Sequence, residues 1–261
     1  MPQERKALVR PPAARLADGL VTHVDRVPVD RDLAVRQWAE YVRVLRDGGW
    51  QPVEVPAQED CPDSVFVEDA VVVLGATALV CRSAAPSRRA ETPAVEEAVR
   101  ALGYTVRRIE APGTLDGGDV LKSGGTVHVG LGGRTNEEGV RQLRAAFEPL
   151  GARVVPVPLT GVLHLKSAVT ALPDGTVLGL PRLAPDPSYF PRFLPVPEEA
   201  GAHVVLLGGD RLLMAASAPR TAELLADRGY EPVPVDIGEF EKLEGCVTCL
   251  SVRLRDLPAS A

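Results

Sequence analysis

Aromatic side chains supply only 4% of this 261-residue chain, so its core must be assembled mainly from valine, leucine and alanine. Basic residues are also short, with 29 lysines and arginines against 35 aspartates and glutamates and a net charge of −6. Binding to a phosphate backbone needs a basic face, and no stretch interleaves basic with aromatic residues, so nucleic acid is excluded as a partner. No apolar run reaches the roughly 18–20 residues that cross a bilayer, which excludes a membrane partner as well. The opening MPQERKALVR lacks the apolar core of an export signal. The expected compartment is therefore the cytoplasm, where thiols stay reduced. Four cysteines, at 61, 81, 246 and 249, do not make a disulfide framework there.

What the chain does contain is a repeat. VRVLRDGGWQPVEVPA, VRALGYTVRRIEAPG, RAAFEPLGARVVPVPLTG and ELLADRGYEPVPVDIGE each read as a helix end, a glycine, a Val-rich strand and a break. Val35, Trp38, Ala39, Val42 and Leu45 share one helical face, as do Val140, Leu143, Phe147 and Leu150. Asp32, Thr92 and Asn136 are placed to cap helix starts, and Gly48, Gly103, Gly151 and Gly229 to form left-handed ends. Each unit is followed by a polar loop and a pair of apolar strands, as in VVVLGATALVC, VLKSGGTVHVG, AVTALPDGTVLGL and HVVLLGGDRLLMA. FLPVPEEAGA resembles the strand and break without a helix, which makes five units, with Pro181 to Phe193 as the excursion of the irregular one. Units this small cannot bury their apolar faces alone, and a closed ring of five leaves no end unit exposed. The expected architecture is α/β, a single domain over residues 1–261.

The repeat also gathers the chemistry. The stretches that follow the strand breaks are EDCPDSVFVED, TLDGGD, VLHLKS and KLEGCVTC, and rotation would bring them to one end of the axis. Cys246 and Cys249 could then be half a zinc site, a redox pair, or one nucleophile beside a bystander. Structural zinc usually takes two close pairs and only one exists; a redox pair would open a helix, whereas CLSVRL runs on as a strand. A lone histidine is more often structural, but His164 occupies the loop that matches the cysteine loop, and Asp116 the loop that could orient it. His128 alternates with Val127 and Val129 and is expected to face solvent. Asp63, Glu68 and Asp69, with Phe66 among them, would make an acidic pocket suited to a planar cation such as a guanidinium. Arg88 and Arg134 would clamp a carboxylate at the other end, so the set suits a zwitterionic amino acid.

PDSVFVED, APSRR, APGTLDGGDVL, GLGGRTNEEG, LHLKS and EKLEGCVTCLS, in that order, closely resemble the dimethylarginine dimethylaminohydrolases of the pentein superfamily. The likeness is collinear from about Arg10 to Leu254. It implies a five-fold pseudosymmetric α/β propeller of ββαβ units around a central active-site channel, in agreement with the repeat. It implies Cys249 as nucleophile, with Cys246 the bystander, His164 as the catalytic histidine and Asp116 as its acidic partner. Asp63, Phe66, Glu68 and Asp69 match the family's guanidinium-side positions, and Arg88 and Arg134 its carboxylate-side positions. Leu20, in an N-terminal lid, and Leu243 match positions whose carbonyls meet the substrate's amino end. The implied reaction hydrolyses Nω,Nω-dimethyl-L-arginine, and the monomethyl compound, to L-citrulline and the methylamine, with no metal and no cofactor. A small molecule is thus the expected partner, and a homodimer is left open. Glu244 and His203 depart from the family pattern. The alternatives are another guanidine-modifying pentein such as arginine deiminase, and a non-catalytic propeller that only binds.

Overall fold

The computed structural model describes residues 5–255; residues 1–4 and 256–261 of the expected domain lie outside the described residues. Strand-forming sequence alternates with helix-forming sequence along the chain. The strands are β1 (Lys6–Val9), β2 (Gln51–Glu54), β3 (Val71–Leu74), β4 (Thr77–Val80) and β5 (Thr105–Arg108). They continue as β6 (Val120–Ser123), β7 (Thr126–Leu131), β8 (Arg153–Pro158), β9 (Val169–Ala171) and β10 (Val177–Gly179). The last five are β11 (Phe193–Pro195), β12 (Val204–Gly208), β13 (Arg211–Ala215), β14 (Glu231–Val235) and β15 (Val252–Leu254).

These form five three-stranded sheets, ordered β3-β4-β5, β6-β7-β8, β9-β10-β11, β12-β13-β14 and β15-β1-β2. In each sheet the first pair is antiparallel and the second parallel, as in Val71↔Val80 followed by Thr77↔Thr105. A parallel pair needs a crossover. Helices α1 (Arg31–Asp47), α2 (Thr92–Ala101), α3 (Glu137–Phe147) and α4 (Pro219–Ala226) provide it in four units. The β10 to β11 connection has only a short turn at Pro187–Tyr189, which is the irregular unit anticipated from the sequence. A short helix, α5 (Gly238–Glu241), precedes the cysteine turn. The chain closes its own ring: β15, the last strand, pairs antiparallel with β1, Leu254 opposite Lys6. The result is the α/β propeller expected, with β3, β6, β9, β12 and β15 innermost.

Helix α2 packs its apolar stripe on its own sheet, whereas α1 is buried between β1 and the neighbouring sheet of β12, β13 and β14. Val95 and Val99 of α2 are fully buried against Val71, Val73, Ala78 and Val80, each worth about 2 kcal/mol of burial. Some local expectations need correction. Asp30 caps α1, its side chain accepting from Leu33 N, because the cap must precede the first helical residue; Asp32 lies inside the first turn. Thr92 is the first residue of α2 and makes no side-chain cap, whereas Asn136 caps α3 through Gly139 N as expected. After α1 the left-handed residue is Gly49, not Gly48; Gly103, Gly151 and Gly229 adopt that conformation as anticipated.

The buried face of α1 is also rotated from the apolar one. Ala34, Gln37, Tyr41, Val44 and Leu45 face inward with Val42, while Val35 and Trp38 are half-buried and Ala39 exposed. Polar groups win here because they have backbone to satisfy: Tyr41 OH donates to Val247 O at 2.8 Å, and Gln37 Oε1 accepts from Glu239 N at 2.9 Å. Leu150, placed on the inward face of α3, is 49% exposed because the helix ends at Phe147 and a tighter turn follows. His128 is buried, not solvent-facing. Its ring lies 5.1 Å from that of Phe190, and Nε2 is 3.1 Å from Tyr189 O, both in the β10 to β11 excursion that covers it.

Candidate active site

The segments entering the five innermost strands are tight turns, and all but the Ala200–Ala202 turn carry or adjoin the polar residues. Val67–Ala70 leads into β3, Gly117–Asp119 into β6, Leu165–Ser167 towards β9, and Ala200–Ala202 towards β12. Before β15 the turn is closed by Cys249 N donating to Cys246 O at 3.0 Å. Rotation of the repeat thus brings Asp69, Asp116, His164 and Cys249 together, all but buried. Leu20, Asp63, Phe66, Asp69, Arg88, Arg134, Leu163, His164, Leu243, Glu244, Gly245 and Cys249 line one cavity of ≈20 Å³.

Within it, His164 Nε2 lies 3.2 Å from Asp116 Oδ2, and Nδ1 lies 3.9 Å from Asp69 Oδ1. This approach depends on Gly118: a Cβ there would sit 2.6 Å from His164 Nδ1 and 2.7 Å from Asp69 Oδ1. Gly118 N instead donates to Asp69 Oδ1 at 2.8 Å. Burial pulls the His164 pKa down, but Asp69, the hydrogen bond to Asp116, and Asp119 outweigh it and raise it to about 9. Burial pushes Asp69 up, yet His164 and Arg88 overcome this and hold it at about 2. The imidazolium and the carboxylate are therefore both charged at neutral pH. Nearby Asp119, burdened chiefly by burial, rises to about 7 while accepting from Thr135 Oγ1 and Leu165 N.

The two sulfurs at the cysteine turn are 3.2 Å apart and unbonded. The hydrogen bond between them lowers the Cys246 pKa and raises that of Cys249; burial and the negative charges of Cys246, Glu68 and Asp69 raise Cys249 further. Of the two, Cys246 is therefore the more readily ionised sulfur and Cys249 the one held towards the thiol. A cation placed in the cavity would draw the anion to Cys249, where Cys246 N already points at 3.5 Å.

A chain with this ring and this site has close counterparts. It is 71% identical over 253 residues, 97% of this chain and 98% of the other, to the N(G),N(G)-dimethylarginine dimethylaminohydrolase of Streptomyces coelicolor. The chain belongs to the dimethylarginine dimethylaminohydrolase family. No family model matches it. Its fold superposes on a His→Gly dimethylarginine dimethylaminohydrolase held as an adduct with S-methyl-L-thiocitrulline (TM-score 0.90, 35% identity, 97% of this chain and 100% of the other). It also matches a Cys→Ser variant of the Pseudomonas aeruginosa enzyme complexed with citrulline (TM-score 0.88, 36% identity, 95% and 98%).

Not every position that the family pattern marks meets the cavity. Asp116 stands behind His164, fully buried. Glu68 does not line the cavity; Oε1 accepts from Lys166 at 2.6 Å and Arg253 at 3.0 Å on the channel side. The two arginines differ. Arg88 is committed, gripping Glu91 with Nε and Nη2, both at 2.9 Å, and Asp69 with Nη1 at 2.8 Å. Arg134 lies 3.8 Å from Asp116 Oδ2, and its buried Nη1 makes no hydrogen bond. The atoms of Asp69, Asp116 and His164 that could hold a metal ion lie within 4.8 Å of one another. Arg88, Gly118 N–H and the imidazole occupy them as a hydrogen-bonded set instead.

Leu163 and Gly245 line the cavity without having been singled out in the sequence. Gly245 is needed for space, since a Cβ there would meet the Phe66 ring at 2.3 Å. Glu244, the departure from the dimethylarginine dimethylaminohydrolase pattern, has a structural use. Its carboxylate accepts from Thr22 N at 2.5 Å and His23 N at 2.8 Å, while Asp63 Oδ1 accepts from Leu20 N at 2.9 Å. Two carboxylates thereby pin the Leu20–His23 segment over the cavity. Glu244 does so at φ 60°, a conformation that favours glycine. Glu244→Gly should leave the melting temperature unchanged or raise it, yet increase KM on the order of threefold to tenfold as the charged hydrogen bonds go. Steady-state kinetics with amide exchange at residues 22 and 23 would show the two effects apart.

Proposed function

We propose that the protein hydrolyses Nω,Nω-dimethyl-L-arginine and Nω-methyl-L-arginine to L-citrulline and the corresponding methylamine, by way of a covalent thiouronium on Cys249. The observation that carries this is a buried cysteine sharing one cavity with a charged His164–Asp69 pair and an arginine edge. The citrulline complex and the thiocitrulline adduct of its relatives support the same substrate class.

A guanidinium is resonance-stabilised and resists attack, so a strong nucleophile is needed. Bound beside Cys249, its positive charge opposes the burial and negative neighbours that keep the thiol protonated. Asp69 and Asp63 hold the cationic end; Glu68 acts from behind through Lys166 and Arg253. Arg134 takes the α-carboxylate, and Arg88 chiefly keeps Asp69 ionised and in place. The carbonyls of Leu20 and Leu243 meet the amino group. Thiolate attack forms the S–C bond, and protonated His164, oriented by Asp116, gives its proton to the departing amine. Neutral His164 then takes a proton from water, which attacks the thiouronium carbon and frees citrulline and Cys249. The Leu20–His23 segment, held over the cavity by Asp63 and Glu244, is the part we take to move aside as substrate enters.

The test is citrulline release from dimethylarginine, monomethylarginine, arginine and agmatine side by side. Agmatine lacks the carboxylate, and its kcat/KM should be roughly 10²-fold lower; Arg134→Ala should close most of that gap. Arginine turned over as well as the methylated substrates would make the protein an arginine deiminase instead.

A further inference from the structure

The mechanism uses one sulfur of the pair and leaves the other without work. Cys246 and Cys249 nevertheless have their sulfurs 3.2 Å apart across a turn closed by an i to i+3 hydrogen bond. Such a turn holds its end Cα atoms within about 7 Å, inside the span that a disulfide bridges. The two sulfurs also face different spaces. Cys249 lines the substrate cavity, whereas Cys246 lines an adjoining cavity of ≈450 Å³ that shares Leu163, Glu244 and Gly245 with it and is walled further by Ser217, Arg182 and Glu198. His203 stands in that wall, its Nε2 2.9 Å from Ser167 O.

We propose that Cys246 and Cys249 form a reversible thiol–disulfide switch, oxidised by a hydroperoxide and reset by a low-molecular-weight thiol that enters the 450 Å³ cavity. The thiolate attacks the terminal oxygen of the hydroperoxide, the O–O bond breaks, the sulfur becomes a sulfenic acid, and the other oxygen leaves as hydroxide or alkoxide and takes a proton from solvent to become water or an alcohol. The partner sulfur then attacks it, the S–O bond breaks, and the hydroxide leaves with the partner's proton as water. The resulting disulfide removes the nucleophile. In the reverse direction an incoming thiolate attacks Cys246, Cys249 departs as thiolate, and a second thiol releases Cys246 from the mixed disulfide. The net reduction consumes two thiols and returns their disulfide. The arrangement guards Cys249 from oxidation beyond the sulfenic state, because the second sulfur is already within reach. This inference takes Cys249 as the nucleophile, as the preceding reading does.

The experiment is hydrogen peroxide titration of the whole chain, followed by alkylation and mapping of the tryptic peptide 243–253, which holds both cysteines. The expected result is a peptide lighter by two hydrogens and closed to alkylation, with hydrolysis down at least tenfold and regained with glutathione. In Cys246→Ala, compared with its own untreated sample, the peptide should gain oxygen instead, and the share of activity regained should fall several-fold. Oxygen addition in the unmodified chain without loss of two hydrogens overturns the switch. Ser217→Trp, at the rim of the 450 Å³ cavity, should slow reduction by glutathione at least fivefold; equal rates overturn the cavity as the entry path. The mass readout needs no turnover, so the disulfide and the hydrolytic reading can fail separately.

Discussion

Cys249→Ser abolishes turnover, lowering kcat on the order of 10⁴-fold or more while KM moves by no more than a few-fold. Nucleophile losses have this scale because the remaining site still binds substrate but has nothing to attack with. A serine hydroxyl is almost wholly protonated in the environment that already holds the Cys249 thiol up. Asp63, Asp69 and Arg134 are untouched, so substrate continues to bind. The fold should tolerate the change, since one small side chain replaces another in a turn held by its backbone and by Tyr41. Cys246→Ala is the control: its sulfur lines the other cavity, and most turnover should survive. Citrulline release and mass spectrometry of substrate-treated protein read both variants. Equal loss in the two would return the pair to metal or redox chemistry as its primary role.

The repeat was legible because helix, glycine, strand and break recur in order, and that order alone places four polar stretches at equivalent positions. The irregular unit was legible for the same reason, as a strand and break with no helix ahead of it. What periodicity could not reveal was polar work done inside the core. Tyr41 and Gln37 turn inward on α1 to satisfy backbone atoms near the cysteine turn, which rotates the buried face away from its apolar residues. His128 follows the strand alternation that suggests exposure, but the excursion ending in β11 lies over it. Arg88 read as a free clamp beside a loop; the carboxylate that holds it, Glu91, lies only three residues on. Glu68 belongs to the acidic run, but the direction of its side chain is set by Lys166 and Arg253, far away in sequence. Glu244 showed only as a departure from a pattern, since its partners at residues 22 and 23 are backbone N–H groups that no motif records.

His164→Gly should lower kcat by 10²- to 10⁴-fold, the usual worth of a placed proton donor and acceptor, and still permit a substrate-derived adduct on Cys249. The pH dependence separates its role from packing. Burial would depress the imidazole, but Asp69 and then Asp116 raise it from 6.5 to about 9, so the acid form persists through neutrality. The rate should fall above about pH 9 as that proton is lost. Asp116→Asn removes a group that raises this pKa, and the alkaline limb should move down in pH together with the loss in kcat. The same shift has a stability consequence. A pKa raised on folding stabilises fully below about 6.5 and is lost as pH climbs through about 9, an effect on the order of 3 kcal/mol. Asp69 is the opposite case, its contribution present above 3.8 and lost as pH falls towards about 2. Thermal melts of the native chain and Asp116→Asn between pH 6 and 10 should therefore diverge most at the lower end and converge on the alkaline side. An alkaline limb that stays in place in Asp116→Asn would mean that another group governs it, and that His164 does not deliver the proton.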